Sequence, residues 1–385
     1  MPATAQRRCF SVATDCSGME TPIMALNNLG VGVDHVFSCD VNKYAKATIM
    51  ANYPPKTFFD DLTKRDNTKA PKADLYVAGF PCQPFSSAGL KQGFSDVRGR
   101  GEIFWHVRDY IAQRKPRVFV LENVAGLVKI KGGEYYSAIL EALRALPYNV
   151  YSKVMDTKEN GIPHSRKRIY FVGISEHHDD GSFNFPAPVA QPSVEKFLDP
   201  LDKKQTVRGK LPPVHQTTAH ANVRRALKEL SASGCDPLKV PYVVDCDSSG
   251  YRMKWMKEAS LCITCSRFQG HWVTSRGRRM TTDEMMRLQG MRPEKFKKAV
   301  SKRQLGIQIG NAMSVNVLER LFVRALPASG LVGHNTLRDR WERGRTPATL
   351  TRASARKHQP QLRKRASSSS GSQVKRARTK AVALS

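Results

Sequence analysis

The stretch RVFVLENV, residues 117–124, is a short apolar run that ends in an acid and an amide. A run of this kind predicts a buried strand, and its polar end indicates that the chain leaves the core there. Similar runs recur on both sides of it along the chain. The predicted strands are residues 10–13, 35–39, 74–78, 118–121, 149–154 and 169–172.

Amphipathic stretches separate these strands and predict helices at residues 21–28, 43–52, 102–113 and 134–145. In the last of them, Ile139, Leu140 and Leu143 follow the spacing of one helix face. Because strands and helices alternate from residue 8 to residue 175, the sequence predicts a doubly wound α/β sheet with a mostly parallel core. Further helices are predicted at residues 280–290 and 310–323.

Polar and reactive residues follow the predicted strands, at residues 15–18, at Asp40, at residues 79–82 and at Glu122. In a doubly wound sheet, ligands bind at the carboxyl ends of the strands. We therefore expect these residues to surround one site.

The pattern changes after about residue 175, where the chain becomes rich in Pro, Lys and short polar runs. This change predicts a small separate domain or a large insertion. The predicted organisation is a core at residues 8–180, an inserted region at 181–270, a return of the core at 271–335 and a disordered basic tail at 336–385.

The chain of 385 residues is strongly basic, with 63 Lys and Arg against 33 Asp and Glu. The tail carries 14 of these cations against 2 acids, and the rest still has a net charge of +18. Such charge favours a polyanionic partner, nucleic acid first and an acidic membrane surface second. The clusters at residues 363–365 and 375–378 are typical of a bipartite nuclear import signal or a phosphate-binding arm, although a merely solvated tail has the same composition.

Other classes are excluded by composition. A hydrophobic fraction of 40% excludes wholesale disorder, and no run of 18 apolar residues predicts a membrane span. The first residues lack the apolar segment of a secretion signal, and eight scattered Cys favour a reducing compartment. A dehydrogenase is disfavoured because no GxGxxG follows the first strand, and Cys262 and Cys265 lack the partners of a zinc site.

Taken singly, the candidate residues have ordinary interpretations. A lone Cys such as Cys82 is more often a small buried side chain than a nucleophile. An acid at a strand end such as Glu122 is most often a cap or an ion-pair partner. Arg166 and Arg168 alternate along an extended segment and share a face, but a basic pair before a strand is mostly on the surface.

Five blocks together are more specific. FPCQPFS (80–86), LENV (121–124), IPHSRKRIYFVGI (162–174), RRMTTDEMMRLQG (278–290) and IGNAMSVNVL (309–318) resemble, in order and spacing, the cytosine-C5 methyltransferases. The resemblance covers about residues 8–175 and 260–325. It implies the Rossmann-like mixed sheet of a class I methyltransferase, S-adenosylmethionine as cofactor, and a small target-recognition domain inserted at 181–270.

The resemblance also implies roles for the catalytic candidates. Cys82 would add to cytosine C6, and Glu122 would protonate N3 and accept a hydrogen bond from the N4 amino group. Arg168 would lie toward the cytosine O2, and Arg166 near the thiol and a phosphate. Because a paired base cannot reach such a pocket, the target would be flipped out of the duplex, with residues 83–101 closing behind it.

For the cofactor, the resemblance implies that the loop after the first strand binds the methionine end and that Asp40 binds the ribose. It implies that Val41 and the block after it bind the adenine. The last helix block would complete the same pocket. The residues concerned are Ser17, Gly18, Met19, Asp40, Val41, Asp61, Leu62, Asn311 and Ala312.

The sequence departs from the family pattern at several of these positions. Cys16 replaces an aromatic residue, and Glu20 and Thr21 replace glycines. Val41 stands where an aromatic ring often stacks on adenine, which weakens the expected packing there. His164 replaces a Gln that opens the block containing the two arginines, and it can still form hydrogen bonds.

The sequence thus predicts a DNA cytosine-5 methyltransferase that acts as a monomer on double-stranded DNA, without a metal or a membrane. Two alternatives remain: a tRNA cytosine-5 methyltransferase with the same core, although the CFT-type tripeptide usual in that branch is missing, and a catalytically silent nucleic-acid-binding relative. The tail favours a nuclear location, and the alternative is the cytoplasm or nucleoid of a prokaryote. Neither the target sequence nor the biological role follows from the residues.

Overall fold

The computed structural model describes residues 9–81, 102–201 and 210–344, together with Pro347 and Leu350. The described residues form a main sheet of seven strands in the order β3-β2-β1-β4-β5-β7-β6. These strands are β1 (Cys9–Asp15), β2 (Gly32–Cys39), β3 (Thr57–Phe59), β4 (Leu75–Ala78), β5 (Val118–Val124), β6 (Tyr148–Asp156) and β7 (Lys167–Ser175). The strands β1 to β5 all run parallel to one another, whereas β7 is antiparallel to both β5 and β6.

Helices cover both faces of this sheet, which confirms the predicted doubly wound fold. The helices of the described residues are α1 (Thr21–Leu29), α2 (Lys43–Asn52), α3 (Ile103–Arg114), α4 (Glu134–Arg144), α5 (Thr217–Ala232), α6 (Thr282–Leu288), α7 (Lys302–Asn311) and α8 (Val315–Ala328). Successive side chains of β5 point to opposite faces. Val118 and Val120 pack in the core with α1 and α8, whereas Phe119 and Leu121 pack in the core with α3 and α4.

A second sheet forms the small domain. Its strands are β8 (Tyr242–Val244), β9 (Trp255–Lys257), β10 (Trp272–Val273) and β11 (Arg278–Arg279), in the order β11-β10-β8-β9. Helix α5 packs on it through Val223 and Ala226, which meet Val244 and Trp272 in a separate apolar cluster.

The predicted bounds of the inserted region, 181 and 270, do not coincide with this packing. Phe183 and Phe197 lie in the main core, so the chain leaves the catalytic part later than composition indicated. At the other end, β10 and β11 belong to the second sheet although they follow residue 270. Composition locates an insertion, but the burial of individual side chains decides where it begins and ends.

The helix predicted at residues 310–323 is two helices. Helix α7 ends at Asn311, and Ala312 adopts an extended backbone with ψ of 145° before α8 begins at Val315. Helix α5 was not predicted, although Ala219, Val223, Ala226 and Leu230 lie on its buried face. Its many charged residues masked that spacing.

The predicted start of the disordered tail at Thr336 is wrong. Trp341 and Leu350 are buried in the main core. The Trp341 indole Nε1 donates to Glu319 Oε2 (2.8 Å), and Arg340 forms an ion pair with the same carboxylate. Burial of the Trp341 ring against α8 stabilises this segment in the folded state, although the residues around it are basic. Residues 351–385, with both basic clusters, lie outside the described residues.

Candidate active site at the carboxyl ends of the strands

The carboxyl ends of β1, β4 and β5 enclose a narrow cleft. Its walls include Ser17 after β1, Gly79 after β4, Glu122 on β5, and Asn311 and Met313 between α7 and α8. The structure therefore brings together three predicted site residues from opposite ends of the chain: Ser17, Glu122 and Asn311. Ser17 and Glu122 meet because the parallel strands all end at one edge of the sheet, and Asn311 joins them from the last residue of α7.

Glu122, in the wall of this cleft, is paired with Arg168. Arg168 Nε lies 3.1 Å from Glu122 Oε1, and both side chains are largely buried. Residues 122 and 124 of β5 face residues 170 and 168 of the antiparallel β7. The acid and the guanidinium are thus diagonal neighbours on one face of the strand pair. Such a pair can hold a proton donor against a ring and balance charge that develops on it.

The loop after β1 is tied to the end of β2. Gly18 N–H donates to Asp40 Oδ2 (2.9 Å), and Asn42 N–H donates to Asp40 Oδ1 (2.9 Å). Burial raises the pKa of the Asp40 carboxyl, these two hydrogen bonds oppose the rise, and the charge of Glu20 adds to it. Each carboxylate oxygen can accept further hydrogen bonds, so Asp40 fits a pair of ribose hydroxyls.

Cys16 and Glu20 both have a left-handed backbone, with φ of 51° and 56°. This conformation costs about 1–2 kcal/mol for a residue with a side chain. The buried carboxylate of Glu20 compensates, because Oε1 accepts hydrogen bonds from Thr14 Oγ1 and Ser38 Oγ, each at 2.6 Å. These side-chain hydrogen bonds therefore hold Glu20 in its left-handed conformation.

The remaining cofactor candidates differ in exposure. Val41 is 76% exposed beside Asp40, an unusual position for an apolar residue and one that a bound ring would cover. Asp61 accepts hydrogen bonds from Thr63 N–H and Oγ1, and these outweigh burial and lower the pKa of its carboxyl. Met19 and Leu62 are buried, so their side chains serve packing.

Arg166 is fully surrounded by protein. Its Nη1 donates to the carbonyls of Ile263 and Gly310 (3.1 Å each), and its Nη2 donates to that of Ala312 (2.8 Å). Burial and the neighbouring Arg168 lower the pKa of this guanidinium. Of the predicted arginine pair, Arg168 reaches Glu122, whereas Arg166 binds backbone carbonyls.

Cys82 and residues 83–101 lie outside the described residues. The chain that leads to Cys82 is described as far as Pro81. Phe80, two residues before Cys82, is buried, and its carbonyl accepts a hydrogen bond from Asn123 Nδ2 (3.4 Å). Asn123 follows Glu122 directly, so this contact ties the approach to Cys82 to the end of β5.

Sequence reasoning missed two features of the site. A Cβ at Gly79 would lie 2.8 Å from Met313 Cε and 3.9 Å from Glu122 Oε2, so Gly79 lets the Met313 side chain close the cleft. Asp15, at the end of β1, forms a buried ion pair with Arg65 at 2.7 Å. The break between α7 and α8, which sets Met313, left no periodic signal in the sequence.

Among the described residues, no cluster of His, Cys, Asp and Glu is arranged to hold a metal ion. Cys262 lies 3.8 Å from Arg166 Nη1. In the same part of the chain, no helix has the length and apolar character needed to cross a bilayer.

Comparison with known sequences identifies a family and individual relatives. Residues 11–326 match the family model of the C-5 cytosine-specific DNA methylases. Among curated proteins, the type II methyltransferase M.NlaX of Neisseria lactamica is 34% identical over 288 residues, covering 74% of this chain and 86% of that protein. M.NgoBI of Neisseria gonorrhoeae is 33% identical over 304 residues, covering 75% and 84%. Both relatives are bacterial, so the comparison gives no support to the predicted nuclear location.

Solved structures share the fold at lower identity. The Dnmt2 methyltransferase of S. pombe superposes with a TM-score of 0.57 at 19% identity, covering 82% of this chain and 98% of that one. The Entamoeba histolytica methyltransferase EhMeth gives 0.59 at 15% identity, covering 83% and 98%. Given the family match over most of its length and the identity to these bacterial enzymes, this chain belongs to the C-5 cytosine-specific DNA methylases.

Proposed function

We propose that this chain methylates C5 of cytosine in double-stranded DNA through a covalent bond between Cys82 Sγ and C6 of a flipped-out base. The observation that carries the proposal is the pair of Glu122 and Arg168, whose side chains approach to 3.1 Å. Glu122 lines the cleft together with Gly79, and the chain continues from Gly79 through Pro81 toward Cys82. An acid and a fixed cation there suit a ring that must be protonated and have its charge balanced.

The proposed reaction uses Cys82 and Glu122 together with a bound methyl donor. The thiolate of Cys82 attacks C6, and the electron pair of the C5–C6 double bond moves into the ring as N3 takes a proton from Glu122. C5, now nucleophilic, would take the methyl group that the cofactor supplies, and the cofactor would leave as the thioether. A base then removes the proton from C5, N3 returns its proton to Glu122, the C5–C6 double bond re-forms, and the bond between Sγ and C6 breaks to release the thiolate.

Cys16 also lines the cleft and is the rival nucleophile among the described cysteines. Burial, with the nearby carboxylates of Asp40 and Asp15, raises the pKa of the Cys16 thiol well above its usual range. A thiol that stays protonated is a poor nucleophile. The raised pKa of the Cys16 thiol supports Cys82 as the nucleophile.

S-adenosylmethionine, when bound, supplies an electrophilic methyl group. We propose that Asp40 accepts the ribose hydroxyls, that Val41 and Asp61 flank the adenine, and that Gly18 and Asn311 contact the rest of the molecule. The exposed Val41 and the spare acceptor capacity of Asp40 support this assignment. We propose further that the protein acts as a monomer in a prokaryotic cell.

The test uses duplex DNA that carries 5-fluorocytosine at the target. Fluorine cannot leave C5 as a proton does, so with S-adenosylmethionine present the wild-type protein should form a complex that survives denaturation. Cys82→Ser should form none, because a serine hydroxyl is hardly ionised near neutral pH. Cys16→Ser is the matched control and should still be trapped.

Trapping by Cys82→Ser, or loss of trapping in the control, would overturn the assignment. A tRNA substrate with the same analogue separates the other candidate: preferential trapping on tRNA would reject DNA as the substrate. A wild-type protein that binds DNA but forms no adduct with either would identify a silent relative.

A further inference from the structure

Arg166 connects two segments that are far apart in the sequence. Its guanidinium donates to Ile263 O on one side and to Gly310 O and Ala312 O on the other. Its own backbone N–H is held by Asp156 Oδ1 (2.9 Å), at the end of β6. A charged, planar donor group held in this way fixes the distance between the segments it bridges.

The first segment leads from β9 of the small domain back to the core. Ile263 is held at both backbone atoms, because its N–H donates to His164 Nε2 (3.0 Å) while its carbonyl accepts from Arg166. The next link reaches the second sheet: His271, which precedes β10, has Nε2 3.3 Å from Cys262 O. The position of residues 262 and 263 therefore depends on the position of the small domain.

The second segment forms the cofactor side of the cleft. The carbonyls bound by Arg166 belong to the residues on either side of Asn311, which lines the cleft. The next residue, Met313, packs against Gly79 beside Glu122. A shift of these carbonyls would move Asn311 and Met313 together.

The two segments also touch without side chains between them. A Cβ on Gly310 would lie 2.3 Å from the carbonyl carbon of Thr264, so α7 packs backbone to backbone on the returning segment. Contact this close transmits a displacement because interiors are close-packed and nearly incompressible.

His164 completes the connection. Its Nδ1 lies 3.1 Å from Leu288 O at the end of α6, and its Nε2 accepts from Ile263 N–H, so the ring bridges α6 and the returning segment as the neutral Nδ1–H tautomer. A glutamine can make the same bridge, since its amide N–H donates and its oxygen accepts at a similar separation. This explains how histidine stands where the family has Gln.

We propose that Arg166 and His164 are positioning residues that couple the small domain to the cofactor side of the cleft, so that DNA and cofactor bind cooperatively through them. The inference rests on the proposed function, since it takes DNA to bind the small domain and S-adenosylmethionine to bind beside Asn311. Arg166 acts through the backbone of residues 310–313 and not on the substrate.

The experiment measures the affinity for S-adenosylhomocysteine, the unreactive demethylated form of the cofactor, by calorimetry with and without target duplex. In the wild type, DNA should tighten binding by about 5-fold or more, as coupled sites usually do. Arg166→Lys keeps the charge but loses the two-sided fork, so this ratio should fall to about 1. The ratio compares one variant with and without DNA, so it reports the coupling even where the affinity without DNA changes. His164→Gln should keep the ratio, and His164→Leu should lose it.

Arg168→Lys is the comparison for a residue at the substrate: kcat should fall while the ratio stays. Circular dichroism confirms that each variant is folded, and His164→Gln needs no such check if its ratio is intact. A ratio of 1 in the wild type would overturn the inference, and so would an unchanged ratio in Arg166→Lys. A wild-type kcat in Arg166→Lys would also overturn it, because a positive charge alone would then be sufficient at this position. Failure of the wild type to methylate DNA would instead refute the proposed function.

Discussion

Asp15 and Arg65 form a buried ion pair behind the cleft. Two N–O contacts of 2.7 Å join them, and Tyr76 Oη donates to the same carboxylate at 2.5 Å. The guanidinium carbon lies 4.7 Å from the ring centroid of Phe37 and 5.2 Å from that of Tyr110. Removing either charge would leave the other buried beside aromatic rings without its partner.

We therefore expect Asp15→Leu and Arg65→Met each to lower the free energy of unfolding by about 3–5 kcal/mol, the usual cost of leaving one buried charge unpaired. The double variant should recover most of this loss, because two apolar side chains replace a neutralised pair. It should stay about 1–3 kcal/mol below the wild type, since the Tyr76 hydroxyl loses its acceptor.

The assay is urea unfolding followed by circular dichroism, analysed as a double-mutant cycle. Lys56 and Asp34 give the matched control, with the same 2.7 Å contact but side chains 67% and 37% exposed. Lys56→Met should cost less than about 1 kcal/mol. If Asp15→Leu costs no more than this control, or if the two buried changes simply add, the reasoning about burial is refuted.

Glu122→Gln should lower methyl transfer roughly 10²-fold without weakening S-adenosylhomocysteine binding, since it removes only the transferable proton; near-normal turnover would remove Glu122 from the mechanism. Burial and the charges of Arg166 and Arg168 hold the pKa of His164 well below its usual range, so the neutral ring favours the folded state. Stability should then be complete above about pH 6.5 and fall as the pH drops below it, and His164→Gln should flatten that part of the profile in urea titrations at several pH values. Trp341→Ala should lower the free energy of unfolding by about 3–5 kcal/mol, whereas Trp341→Phe should cost less; equal losses would show that the hydrogen bond to Glu319 dominates. Deleting residues 351–385, which contain ten Lys and Arg and no acid, should weaken DNA binding and flatten its salt dependence while bisulfite sequencing finds the same target context.

Elements with a strong local pattern were predictable. The helix predicted at residues 43–52 has those bounds, and each predicted strand of the main sheet lies within an observed one, except that Asp74 precedes the first residue of β4. The ends of β1 and β5 carry residues of the cleft because polar side chains interrupt apolar runs where the chain leaves the sheet. Glu122 and Arg168 could be found from their motifs, and their contact follows from the pairing of β5 with β7.

Features that depend on distant partners were not predictable. Asp15 meets Arg65 fifty residues along the chain, and neither residue carries a local sign of the other. Thr14 and Ser38 hold the carboxylate of Glu20 and so stabilise its left-handed backbone. A family pattern with glycine at this position gives no sign of these two contacts. The polar side chains of α5 and the basic residues around Trp341 hid buried faces that only packing against the rest of the molecule reveals.

The pairing of β5 with β7 has a consequence for how such a chain can change over generations. The spacing of Glu122 and Arg168 is set by backbone hydrogen bonds between two strands and not by the turns that join them. Residues can therefore be gained or lost around α4 without moving the two side chains. A slip of one residue between the strands, in contrast, would turn Arg168 to the opposite face. Natural variation in length should collect in those turns, while the strands themselves keep their number of residues.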